Sequence, residues 1–472
     1  MPSLFAGSAH FDITPTTPCA LSGFIARRNR PFERVDDALH VRALALAQDG
    51  ELYLLLNYEL LGFGPPVRDM LLDALAYAGL PGFELARTVI TTPHTHSGPA
   101  VSPIEGESGA GEDYLELLRR QTVAAAREAL ASLQPAVLEV AEQAIDGLTY
   151  NRRAVLADGR VSIAYDPDQP VLERGPLDNT LTLLAWKTAD DPARVLGALV
   201  NFACHGVSLL TAAVSGDIPG QIMACFEERL GAPCLFLQGP AGDVNPVAVA
   251  GERSGLLAWM ARFRAQTAGL AERLAPANAL PLRAARAVLP LDFRPLPERS
   301  QVALNLRVLE QLGAGDFSAL DSEETAGAVA NLLNIRPGDA PDAEIAAFTA
   351  RAMAGAERRV LALVDSGQQP APYPLEVSAW RVGAVLLVCV GAEFFSSTGL
   401  RLRALGGENV RVLPVAYAAP IVGYLPDAHA MQQGGYEAND AWRFYGQPGP
   451  FAFESEARLA ALAAELVNEL LI

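Results

Sequence analysis

The chain has 472 residues, 50% of them hydrophobic, and a formal net charge of −18 at pH 7. That length and apolar fraction suffice to bury a large core, while the negative balance excludes nucleic acid as a partner, because phosphate recognition needs basic patches. Lys187 is the only lysine and lies in an ordinary strand pattern, so Schiff-base and carbamylated-lysine chemistry are set aside.

In chain order, a strand-like stretch through Asp12 and Pro15 leads to an arginine-rich loop, Arg27 to Arg30, expected near the surface, either solvated or in contact with an anion. His40 to Ala47 and Glu51 to Asn57 flank Gln48-Asp49-Gly50, which reads as a hairpin because Asp-Gly favours the tight turns that match strand twist. A helix is expected from Pro66 to Ala78, since proline is tolerated in a first turn. The β-branched run from Thr88 then delivers His94 and His96 into Ser97-Gly98-Pro99. Residues two apart on an extended backbone project to one side, so the pair can face a single point.

Glu112 to Leu133 has apolar positions at helical spacing with charges opposite them. Strands are expected at Ala136 to Leu148, Thr180 to Trp186, Val195 to Cys204 and Cys234 to Leu237, with a hairpin at Ala157-Asp158-Gly159 and a helix from Ile218 to Leu230. Residues 296 to 370 change character and read as a helical insertion with loops such as Arg336 to Pro341. Strands return at Leu375 to Arg381, Ala384 to Val390 and Val410 to Ala416, and a helix from Ser455 closes the chain. The alternation is that of an α/β domain.

Position organises these elements. His94, His205, Asp243 and Glu393 each follow an apolar strand, and the C-terminal edge of an open α/β sheet is where ligands bind. Taken singly, His205 could be a core histidine, Asp243 a turn residue, and Glu393 the first-turn acid of a helix. Together they supply two imidazoles and a carboxylate, a set that binds zinc while leaving room for water.

The segments Thr92-Pro93-His94-Thr95-His96-Ser97-Gly98-Pro99, Asn201-Phe202-Ala203-Cys204-His205, Ser215-Gly216-Asp217, Gly242-Asp243-Val244-Asn245-Pro246, Gly391-Ala392-Glu393-Phe394, and Tyr424 with Gly435-Tyr436-Glu437 occur in an order that resembles the catalytic domain of the neutral/alkaline non-lysosomal ceramidases. Gly7 to Pro15 and the Asn151-Arg152 pair extend the resemblance over nearly the whole chain. It implies a single ceramidase-like catalytic domain over residues 1–472, with the 296–370 insertion inside it. It also implies Zn2+ bound by His94, His205, Glu393 and Tyr424, an oxyanion stabilised by His96 and Tyr436, and a substrate positioned by Arg152, with Asp243 and Asn245 also at the catalytic centre. Asn245 stands where the family has serine. A carboxamide is no nucleophile, so direct attack by zinc-bound water on an amide (N-acyl) bond of a small-molecule substrate is expected, with Asn245 orienting the substrate.

Other readings of the residues stay open: an ester, lactone or glycosyl bond as the target, a barrel-type amidohydrolase that also uses His-x-His, or a non-catalytic module stabilised by zinc. The five cysteines lack Cys-x-x-Cys spacing and are expected as free thiols. The segment Met1 to Gly7 lacks a basic start and a long apolar stretch, and the chain ends near where the ceramidases continue into an immunoglobulin-like domain. A short, cytoplasmic protein without stable membrane insertion is the expectation.

Overall fold

The computed structural model describes residues 4–102, 104–163, 170–320, 325, 332 and 342–472, so the loop expected at Arg336 to Pro341 lies outside the described residues. Two sheets dominate. In the larger, Phe5–Asp12 (β1), His40–Gln48 (β2), Glu51–Tyr58 (β3) and Thr88–Thr91 (β4) form one half, and Gln134–Ala144 (β5), Thr180–Thr188 (β6), Val195–Phe202 (β7) and Cys234–Gln238 (β8) form the other. The order across it is β8-β7-β6-β5-β1-β2-β3-β4. The halves meet where Phe5 and Ala6 pair with Pro135 and Gln134. Side chains bridge them further on, Asn57 Nδ2 donating to Phe236 O at 2.9 Å.

The smaller sheet runs in the order Leu282–Leu291 (β9), Tyr373–Val382 (β10), Val385–Val390 (β11) and Arg411–Val415 (β12). Among the described residues, helices of nine residues or more are Pro65–Tyr77 (α1), Glu112–Ala131 (α2), Asp217–Leu230 (α3), Arg253–Gln266 (α4), Arg299–Gly313 (α5), Ala343–Ser366 (α6), Ser396–Ala404 (α7) and Ser455–Leu471 (α8). No helix among the described residues is long and apolar enough to cross a membrane.

Alternation along the strands explains the layering, because successive side chains point to opposite faces. Leu44, Leu46, Tyr53, Leu55, Leu184, Trp186 and Leu235 from the larger sheet meet Trp380, Leu387 and Leu413 from the smaller in one buried cluster. The other face of the larger sheet buries Leu54 and Leu56 against Leu71, Leu75 and Leu118 of α1 and α2, and Val200 and Phe236 against Phe226 and Trp259 of α3 and α4. The far face of the smaller sheet buries Val377 and Val388 against Leu402 of α7 and Leu459 and Leu466 of α8. The result is an α/β fold of four layers, helix-sheet-sheet-helix, which is not the barrel that the amidohydrolase reading required.

Within these two sheets most neighbouring strands are antiparallel, and the parallel pairs there are β3–β4, β7–β8 and β11–β12. One local expectation changes. Arg27 is buried at 4% exposure rather than lying in a surface loop. Its guanidinium donates to the carbonyls of Leu209 (2.8 Å), Thr211 (3.1 Å) and His96, and to Ser97 Oγ (3.2 Å). Backbone acceptors of two loops therefore replace solvent as its partners. Burial lowers its pKa to about 10, so it stays charged.

Candidate active site

The ends of β4, β7, β8 and β11 open onto one place, and local backbone geometry aims their side chains. β4 stops at Thr91, Pro93 can extend no ladder, and the chain turns through His94 at φ 62°. His94 and His96 therefore converge through a left-handed turn, not through the extended alternation expected; their ring centroids are 5.0 Å apart. Such a φ is uncommon outside glycine and marks an imposed conformation. What imposes it is visible: His94 Nδ1 lies 2.7 Å from Leu61 O, and its ring packs 4.2 Å from that of Tyr417.

Gly206 allows the next approach, since a Cβ there would sit 2.7 Å from His94 O, and His96 N donates to Gly206 O at 2.8 Å. His205, beyond β7, places Nδ1 3.0 Å from Ala241 O. Gln238 at the end of β8 ties these turns together, donating to Pro93 O (2.9 Å) and Cys204 O (2.7 Å) while its Oε1 accepts from Cys204 N (2.9 Å).

A carbonyl facing Nδ1 fixes the tautomer, so His94 and His205 carry their proton there and turn a bare Nε2 inward. His205 Nε2 lies 3.1 Å from His96 Nε2, and His94 Nε2 is 3.5 Å from Glu393 Oε2. Burial holds the His94 pKa down at about 3, and burial with mutual repulsion pushes His96 and His205 well below their usual value. All three rings are therefore neutral at pH 7. Among the described residues, His94, His96 and His205 form the group of metal-capable side chains whose ligand atoms lie within 4.8 Å of one another.

Glu393, fully buried, follows β11, and its backbone pairs in parallel with Tyr424. Its carboxylate accepts from Tyr417 Oη at 3.3 Å and from Tyr445 Oη. Burial pushes its pKa up to about 7 against these donors and Arg152. Neutral imidazoles with inward lone pairs beside a buried carboxyl and a phenol are donors that suit zinc.

Arg152 crosses the site. Its Nε donates to Glu437 Oε1 (2.9 Å), its Nη2 to Tyr424 Oη (3.0 Å) and its Nη1 to Asn245 Oδ1 (3.4 Å). A cavity of about 420 Å³ opens on these groups, with His94, His96, His205, Arg152, Asn245, Tyr424, Tyr436 and Tyr445 among its polar lining and Phe24, Ile25, Ile104, Val207, Val249, Phe348 and Phe444 among its apolar lining. Asp243 does not line it. Its carboxylate accepts from Ser396 N (2.9 Å) and Asn151 Nδ2 (2.6 Å), which anchors α7 and the segment carrying Arg152.

Sequence reasoning passes over Tyr445 and Gln238, and gives no role to Glu437. Glu437 lies in the quoted Gly435-Tyr436-Glu437 segment, yet only the structure shows it bridging Arg152 and Arg153, the latter at 2.5 Å. Burial raises its pKa, but the two arginines outweigh that and hold it below the usual carboxylate value. Glu437→Gln keeps the shape and removes the charge between two buried guanidiniums. It is expected to cost about 1.5–3 kcal/mol, the range for hydrogen bonds to charged groups, and to raise KM by loosening Arg152. Urea denaturation beside steady-state kinetics checks both, and an unchanged midpoint would remove this role.

No family model matches the chain, and no curated protein matches its sequence. Two solved structures are similar to it across 100% of this chain and 75% of theirs: neutral ceramidase from Pseudomonas aeruginosa, with a TM-score of 0.70 at 18% identity, and a ceramidase complexed with C2, with a TM-score of 0.69 at 17% identity. The chain has the ceramidase fold over its whole length.

Proposed function

We propose that the chain is a zinc-dependent hydrolase of an amide (N-acyl) bond. The observation that carries this reading is the pair of bare Nε2 atoms, on His94 and His205, facing a buried carboxyl at an apolar-walled cavity. A structural metal site would be closed, whereas this one opens on space for a substrate. The ceramidase fold supports an N-acyl compound as substrate.

His94, His205, Glu393 and Tyr424 would hold the ion. Zinc held there would supply a lowered pKa for a water and a polarised carbonyl. The remaining residues do the positioning. Arg152, locked by Glu437 and Tyr424, orients the substrate, and Asn245 beside it engages the amide or the attacking water. His96 and Tyr436 face the same cavity and donate to the oxygen that gains charge as the carbonyl carbon becomes tetrahedral. Asp243 acts at one remove, by fixing the segment that carries Arg152.

A screen over N-acyl, ester and glycosyl substrates, with and without chelator, tests the reading. N-acyl turnover that chelator abolishes and zinc restores is expected. Turnover confined to esters or glycosides would reassign the bond, and turnover indifferent to chelator would sink the metal.

A further inference from the structure

Part of the cavity wall comes from a helix that belongs to neither sheet. Phe348 lies on α6, and it is the side chain of that helix that lines the cavity. The helix is fastened to the loops around the cavity and to a neighbouring turn. Glu344 pairs with Arg28, Arg359 donates to Glu105 at 2.8 Å, and Glu357 accepts from buried Arg443 at 2.7 Å. Gly106 sits so close to the helix that a Cβ there would lie 2.7 Å from that of Ala352. Arg351 covers the Phe348 ring at 5.9 Å from its centroid. Phe348 is thus held as part of a wall.

The space behind that wall is limited. An apolar cavity of roughly 150 Å³ takes one benzene. By that measure the cavity of about 420 Å³ holds roughly 17 non-hydrogen atoms, near the small end of ligand pockets. Arg28, Asn29, Glu105 and Glu107 also line the cavity, and the rest of the lining beyond the histidines, Arg152, Asn245 and the tyrosines is largely aliphatic and aromatic. An apolar chain gains there, and a charged or sugar-like group does not.

We propose that Phe348 sets chain length, making this a pocket for one short-to-medium apolar acyl chain whose carbonyl lies at the His94–His205 end. The proposal rests on the hydrolase reading for the placing of the carbonyl. That Phe348 forms part of the cavity wall stands on geometry alone. Each methylene that enters the pocket tightens binding about 4-fold, and a chain that has reached Phe348 gains nothing more from added carbons.

The test uses n-alkanoic acids of increasing length as probes, titrated into the full chain by calorimetry, beside hydrolysis of the matching N-acyl amides. Wild type is expected to bind more tightly with each carbon and then level off at roughly 10–14 carbons. Phe348→Ala should move that break outward by about four to six carbons, the room left by six ring carbons, and Phe348→Trp should move it inward, with similar melting temperatures. Alkanoates that do not bind, or a break at the same length in all three proteins, would overturn the proposal. If the acids show the shifts but no amide is cleaved, the pocket stands and the hydrolase reading falls.

Discussion

His205→Ala is expected to strip the protein of metal and abolish turnover, with a loss larger than the roughly 100- to 1000-fold that one oxyanion donor is worth. His205 is fully buried, its Nδ1 is committed to Ala241 O, and no other imidazole can reach its place without breaking the Gly206 contacts that hold His96. The ring is neutral in the folded protein, so metal binding there requires no proton to leave. A bound ion also stabilises the folded state by mass action, by about 4 kcal/mol at a thousandfold excess over its dissociation constant. Wild type should therefore melt higher when zinc is added, and the variant should not. Elemental analysis of both proteins decides it, and full zinc occupancy in His205→Ala would remove the site as proposed.

Asn245→Ala is expected to lower kcat/KM by roughly 100- to 1000-fold while zinc content stays at the wild-type level. Asn245 is 6% exposed, lies on a short strand paired with Thr149–Asn151, and reaches both the cavity and Arg152. Its carboxamide can donate to a carbonyl or hold a water, but it cannot form an acyl-enzyme. Substrate and water must therefore meet directly. Rapid-quench kinetics on wild type should show no burst, and mass spectrometry during turnover should find no adduct. A trapped covalent intermediate, or an alanine variant as active as wild type, would count against this assignment.

Much of this arrangement is legible in the sequence because it resides in local patterns. The Gln48-Asp49-Gly50 turn joins β2 and β3 as read, and the apolar runs ending at Thr91, Phe202, Gln238 and Val390 become strands that deliver His94, His205, Asp243 and Glu393 to one region. Other features depend on contacts that spacing does not encode. β9, whose Leu282–Leu291 sequence mixes alanine with arginine, has no clean alternation and went unassigned, although it pairs with β10 along its full length. α4 was legible and missed, since Leu256, Trp259, Met260 and Phe263 fall at helical spacing. Arg27 reads as surface because arginine usually is. Its burial follows from loop carbonyls supplied by residues about 70 and 180 positions away. Tyr445 lies in an unpatterned loop, and its contact with Glu393 follows from the fold alone.

The proposed ligands come from both sheets: His94 and His205 leave the larger, while Glu393 and Tyr424 follow strands of the smaller. Between the sheets lies a continuous apolar seam. An ion held across such a seam is captured only after the layers have docked, so loading belongs to the last step of assembly, and escape waits for the seam to part. Exchange with free metal would then be slow whatever the equilibrium affinity, and its rate would report how often the two halves of the molecule breathe.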